Sequence, residues 1–203
     1  MSETNAPLEF YFDFSSPYSY LASEKIDALA ASFGRRVKWR PILLGVIFKT
    51  TGAAPLTTVP LKGDYTRRDF VRSARFMGLP AIMPDKFPLA TQGAARAYYW
   101  LHESDCSKAR QFAHAVFRAL FVDNRDVSSP EVVLDLAARL GIDTAACAAA
   151  MGDEKYKQRL KDEVDAALQK GVFGAPYIVC DGEAFMGADR LPQLERWLAT
   201  GGF

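Results

Sequence analysis

Apolar positions along the chain follow two different periods. From Phe10 to Phe14 they are nearly continuous and aromatic, which suits a strand buried on both faces, as in a parallel sheet. From Leu21 the period changes. Leu21, Ala22, Ile26, Leu29, Ala30 and Phe33 recur at three- and four-residue steps, the signature of one helix face. Ser15-Ser16-Pro17 separates the two segments. A serine there can cap the free N–H groups of the helix, and proline suits the first turn because its missing N–H is not needed. A strand feeding a helix N-terminus with serine at the junction is also a place where an anion can be held. Gly34 stops the helix, and Val37 to Ile42 reads as a second strand with Val37 and Trp39 on one face. Strand, helix and strand at this spacing form a βαβ unit, so the two strands should run parallel with a right-handed crossover.

The middle of the chain reads as helical. Thr50 to Pro60 is a loop by composition, Tyr65 to Met77 a helix, and Gly78 to Pro88 a proline-rich crossing loop. Helices follow over Thr91 to Glu103 and Ser107 to Val122. Ser128-Ser129-Pro130-Glu131 marks another start, read as a capping box, with the helix running to Leu140 and stopping at Gly141. Asp143 opens a shorter helix and Asp153 to Lys170 a long amphipathic one. β structure then returns. Tyr177 to Cys180 and Glu183 to Met186 flank Asp181-Gly182, a favoured hairpin turn. Asp189 is placed to cap a last helix holding Leu191, Leu194, Trp197 and Leu198. This order describes an α/β, thioredoxin-like βαβ–ββα sheet interrupted by a large all-helical insertion. Residues 1–49 and 171–203 form the thioredoxin-like domain and residues 50–170 the insertion.

Composition narrows the function. The 203 residues are 49% apolar and carry 25 basic against 24 acidic side chains. A net charge of +1 gives no field to recruit nucleic acid or an acidic membrane, and Arg67, Arg68, Arg72 and Arg75 read as a solvated helix face. No stretch reaches transmembrane length and the N-terminus is polar, unlike a signal sequence. Cys106, Cys147 and Cys180 are odd in number and lack metal-ligand spacing, which favours a reducing, cytoplasmic setting. His102 and His114 lie in the inserted helices and read as ordinary helix residues rather than partners of a catalytic serine.

Two features carry chemistry. In Gly171-Val172-Phe173-Gly174-Ala175-Pro176 a proline directly precedes a strand. In thioredoxin-like folds a cis-proline occupies this position, opposite the first helix N-terminus. Where dithiol oxidoreductases carry Cys-x-x-Cys, this chain has Ser16-Pro17-Tyr18-Ser19. With hydroxyls in place of both sulfurs, ordinary dithiol–disulfide exchange has no attacking or resolving thiolate. Any thiol the protein handles must be brought in.

Residues 10–20 (FYFDFSSPYSY), 59–65 (VPLKGDY), 171–176 (GVFGAP) and 185–191 (FMGADRL), in this order, resemble the 2-hydroxychromene-2-carboxylate isomerases and kappa-class glutathione transferases. The resemblance spans nearly the whole chain. It implies a glutathione-dependent enzyme of aromatic breakdown, usually a homodimer, acting on a small aromatic substrate. Carried over by position, Ser16 is the catalytic serine that donates to the glutathione sulfur. Lys62 lies near the glycine carboxylate, Ala175 pairs through its backbone with the cysteinyl part ahead of a cis Pro176, and Asp189 meets the γ-glutamyl amino group with Arg190 beside it. Two positions depart from the pattern: Ala53, followed by Ala54, stands where relatives often have asparagine, and Ala188 where they often have a polar residue. Both remove hydrogen bonds to the tripeptide. The implied reaction is thiolate addition to a conjugated double bond, ring opening, rotation and elimination, with glutathione recycled. A kappa-type transferase or peroxidase and a non-catalytic thioredoxin-like binding module are the competing readings.

Overall fold

The computed structural model describes residues 6–203. β1 (Leu8–Phe12) and β2 (Val37–Pro41) pair in parallel with Phe10 opposite Trp39, and α1 (Pro17–Ser32) is the crossover between them. β3 (Tyr177–Cys180) runs antiparallel to β1, and β4 (Glu183–Met186) antiparallel to β3. The order across the sheet is β2-β1-β3-β4, the thioredoxin-like topology expected from the chain order. Asp181 and Gly182 both have positive φ, 53° and 90°, as the tight hairpin turn requires. Between β2 and β3 lie α2 (Leu44–Thr51), α3 (Lys62–Phe76), α4 (Gln92–Ser104), α5 (Cys106–Phe121), α6 (Pro130–Arg139), α7 (Thr144–Gly152) and α8 (Glu154–Gln169), and α9 (Leu191–Thr200) ends the chain.

Aromatic packing joins the helical block to the sheet. The Phe12 ring of β1 lies 5.3 Å from Trp39 of β2, 6.0 Å from Tyr98 of α4 and 5.5 Å from Phe117 of α5. Each such ring, fully buried, contributes about 1.5–3 kcal/mol from area alone. The polar edge of the same interface is tied by Arg40, whose guanidinium donates to Glu9 on β1 and to Glu163 on α8, each at 2.7 Å. Among the described residues no helix is long and apolar enough to cross a membrane, and no group of acidic, histidine or cysteine side chains is placed to hold a metal.

Four local expectations change. Residues 44–51 are helical, although Leu43 at the N-cap position provides no side-chain cap; the cap comes from Asp13, whose carboxylate accepts the Leu44 N–H at 2.7 Å. The stretch 50–60 is therefore not wholly loop, for it contains the end of α2 and a single 3-10 turn at Leu56–Thr58. Next, α3 begins at Lys62 rather than Tyr65. Gly63 makes this possible, because a Cβ there would lie 2.6 Å from the Thr57 carbonyl oxygen. At α6, Ser129 is the cap and accepts from Val132, so Glu131 falls one position short of a capping box. Finally, Asp189 does not cap α9: a 3-10 turn at Ala188–Arg190 leads into the helix and Arg190 occupies the N-cap position.

On α1, Glu24 accepts from His114 and Arg118 of α5. Burial pushes its carboxyl pKa up, but these two partners outweigh burial and bring it to about 2 from an ordinary 4.5. A depressed carboxylate stabilises the fold above its unfolded pKa and loses that contribution as pH falls through the folded value. Urea unfolding of Glu24→Gln should show a loss of roughly 1–3 kcal/mol at pH 7 that shrinks toward zero between pH 4.5 and 2. A gap independent of pH would assign the loss to packing instead.

Candidate functional site

The site is built on a carboxylate at the end of β1. Asp13 is 4% exposed. One oxygen accepts the Ser15 N–H and the Thr91 hydroxyl, each at 2.8 Å, and the other accepts the Leu44 N–H at 2.7 Å. Burial pushes its pKa up, and these three donors offset part of the rise. The three bonds draw together the start of α2, the start of α4 and the turn into α1. That turn is closed further by the Ser16 N–H, which donates to the Asp13 carbonyl at 2.9 Å.

Ser16 is thereby fixed at the head of α1. Its hydroxyl oxygen accepts the Ser19 N–H at 3.2 Å, the N-cap bond, and its O–H donates to the Ala175 carbonyl at 3.0 Å. The Ala175–Pro176 peptide bond is cis. Residues 159 positions apart thus meet at the helix N-terminus, where the unpaired N–H groups and the helix dipole favour a negative charge. Ser15 accepts the Leu89 N–H at 3.1 Å. The Tyr18 hydroxyl donates to Asp69 on α3 at 2.6 Å, and burial, then Asp69, push the phenol pKa up. Ser19, which stands where a dithiol would carry its second sulfur, is fully buried, and its hydroxyl has no partner among the described residues.

Ser15, Ser16, Tyr18 and Ala175 line a cleft of about 610 Å³ whose other walls include Leu44, Phe48, Leu56, Phe87, Leu89 and Phe173. Among the described residues lining it none is lysine, arginine or histidine. Ala53 and Ala54 lie on its wall. The structure brings Ser16 and Ala175 together but leaves the charged candidates outside. Lys62, the first residue of α3, is exposed. Asp189 and Arg190 are exposed and paired with each other at 3.0 Å. Arg190 lines an adjoining depression of about 440 Å³ with Trp197 and Phe203, which shares Met186 with the cleft. The Asp189 charge still contributes to the upward shift of Tyr18, so it acts on the same end of α1. His102 and His114 are not in the cleft; His114 pairs with Glu24 instead. Sequence reading gave no role to Asp13, although a lone carboxylate inside an aromatic strand was the available signal. It also missed Tyr18–Asp69 and Thr91, which carry no local signal.

Residues 7–199 match the family model described as a DSBA-like thioredoxin domain. The chain is 27% identical to the 2-hydroxychromene-2-carboxylate isomerase of Pseudomonas putida over 191 residues, covering 93% of this chain and 92% of that one. It is 26% identical over 208 residues to glutathione S-transferase kappa 1 of Rattus norvegicus, covering 94% and 92%. Among solved structures, a 2-hydroxychromene-2-carboxylate isomerase superposes with a TM-score of 0.84 at 26% identity, covering 96% of this chain and 95% of that one.

Cys147 and Cys180 are buried, and burial pushes both thiols up to about 11; Cys106 is exposed at the start of α5. None of the three lines the cleft. The purified protein should therefore show no insulin-reductase or thiol-oxidase activity. Robust activity abolished by Cys180→Ser would contradict this assignment of the site.

Proposed function

The chain belongs to the DSBA-like thioredoxin domain family, and from that premise we propose that it is a glutathione-dependent isomerase of the 2-hydroxychromene-2-carboxylate type, working in aromatic catabolism. The observation that carries the reading is the Ser16 hydroxyl, held against the Ala175 carbonyl at the head of α1 in a site without a thiol of its own.

The residues present fit the tripeptide. Ser16 offers an O–H donor beside a helix N-terminus, which suits a thiolate; Ala175 offers a backbone carbonyl. Lys62 and Asp189 are exposed charges of opposite sign, matching a carboxylate and an ammonium at the two ends of one ligand. When bound, glutathione supplies a thiol whose anion adds to a conjugated double bond and leaves again once that bond has rotated, so that it is not consumed.

Ser16 turns its O–H from the Ala175 carbonyl to the sulfur, and the α1 amides favour the same negative charge. Ala175 is then free to accept the N–H of the cysteinyl residue. Asp189 exchanges its exposed pair with Arg190, worth about 0–1 kcal/mol, for the ligand ammonium. Lys62 takes the glycine carboxylate. The apolar walls hold an aromatic ring and exclude water from the charged intermediate states. A homodimer belongs to the same proposal, supported by Leu61 and Phe76, which are 94% and 91% exposed.

The cleft lining supports one second reading. Without a cation among the described lining residues, it suits an uncharged electrophile better than a carboxylate, as a kappa-type transferase would use. Net loss of glutathione during turnover selects the transferase, and its recovery selects the isomerase.

Ser16→Ala should fold, with a stability loss of about 1 kcal/mol as a lost cap, yet lose roughly 10²–10³ in kcat as a lost donor to an anion. Full turnover with a lowered melting temperature would reduce Ser16 to a cap. Asp189→Asn should raise the glutathione KM and leave kcat at saturation nearly unchanged, because the reading sets Asp189 against the distant amino group. A fall in kcat equal to that of Ser16→Ala would mean that the ligand lies in another orientation.

A further inference from the structure

One charged group of the cleft takes no part in the steps above. Among the described residues lining it, Asp13 is the only one whose side chain ordinarily carries a charge at neutral pH. Each of its oxygens accepts from a backbone N–H, Ser15 on one and Leu44 on the other, with the Thr91 hydroxyl as a third donor. A backbone N–H cannot reverse and accept a proton, so this setting serves the ionised form. The other titratable side chain on the wall, the Tyr18 phenol, is held neutral by burial and by Asp69. Asp69, which pairs with Arg72, and Asp189 are the acids that act on Tyr18. Asp13 is buried and touches no ligand, yet a charge acts at a distance. Ser15, which donates to it, is followed directly by Ser16, whose own N–H donates to the Asp13 carbonyl at 2.9 Å. The carboxylate therefore stands within roughly 10 Å of a sulfur bound at Ser16.

That sulfur sits between opposing fields. The α1 N-terminus and the Ser16 hydroxyl favour its anion, and a like charge nearby disfavours it. Thiols lowered by such surroundings titrate anywhere from about 3.5 to 7.5, and the thiolate becomes a poorer nucleophile as that value falls. We propose that Asp13 tunes the bound thiolate, its buried charge opposing the helix N-terminus so that the sulfur is ionised at neutral pH and still reactive. The inference rests on the glutathione reading above. It makes Asp13 a positioning residue that acts through the field as well as through the helix starts it joins.

The test titrates the ultraviolet thiolate absorbance of bound glutathione against pH, as a difference from the S-methylglutathione complex, which cancels Cys106, Cys147 and Cys180. In the parent protein the bound thiol should titrate above about 5.5 and below neutrality, in the upper half of the range for such thiols. A value below that overturns the inference without any variant. Asp13→Asn removes the charge and should lower the value by about one unit. Thr91→Val breaks a bond to the same carboxylate, keeps the charge and should not lower it. The sign separates a field from a strut, because a lost strut loosens Ser16 and moves the bound thiol upward, toward the free one. An unchanged or higher value in Asp13→Asn, or an equal fall in Thr91→Val, overturns the inference and leaves the glutathione reading standing. A parent protein that does not bind glutathione, or whose bound thiol titrates as the free one does, overturns the thiolate reading itself, and the inference with it.

Discussion

A single buried carboxylate holds the functional end of this protein together. An ionised carboxylate removed from water is strongly unfavourable unless donors replace its hydration, and among the described residues hydrogen-bond donors rather than a cation meet Asp13. Its three donors come from three parts of the chain: Ser15, Leu44 and Thr91. Satisfying one group therefore fixes the starts of α2 and α4 and the turn into α1 at once. Ser16 inherits its placement from that turn, and the cleft walls inherit theirs from the helix starts. The thioredoxin-like sheet supplies the platform, and the aromatic contacts of Phe12 with Trp39, Tyr98 and Phe117 keep the helical block seated on it.

The chemistry available there is defined by a substitution of oxygen for sulfur. A helix N-terminus with a hydroxyl donor stabilises a thiolate as it would another anion, yet the chain places no thiol there. Ser16 and the Ala175 carbonyl occupy each other's hydrogen-bonding capacity, and an incoming cysteinyl group can satisfy both without leaving either unpaired. The surrounding walls are apolar and the charged candidates Lys62 and Asp189 stand outside them. That division suits a polar tripeptide at the rim and an aromatic ring within.

Elements with local causes were legible in the sequence. β1, α1 and the β3–turn–β4 hairpin follow from a change of apolar period, from Pro17 in a first turn and from Asp181-Gly182. Elements with distant causes were not. α2 has no local cap, because its cap is Asp13, 31 residues earlier. The early start of α3 depends on Gly63 passing close to Thr57, a contact no periodicity reports. Asp189 had the residue type and position of a cap, but a 3-10 turn carried the chain into α9 one residue beyond it. At the site, Ser16 and Ala175 were legible through motif resemblance, and their hydrogen bond places them together.

The claim that Ser16 and the α1 N-terminus hold glutathione as its thiolate is tested most directly by calorimetric titration at pH 7 in buffers of different ionisation enthalpy. A free thiol with a pKa near 8.5 is almost wholly protonated at that pH, so binding as the anion must release close to one proton. The expected result is a binding heat that varies with the buffer for glutathione and does not vary for S-methylglutathione, which has no thiol proton to lose. Absence of binding, or a heat for glutathione that is the same in every buffer, would contradict it.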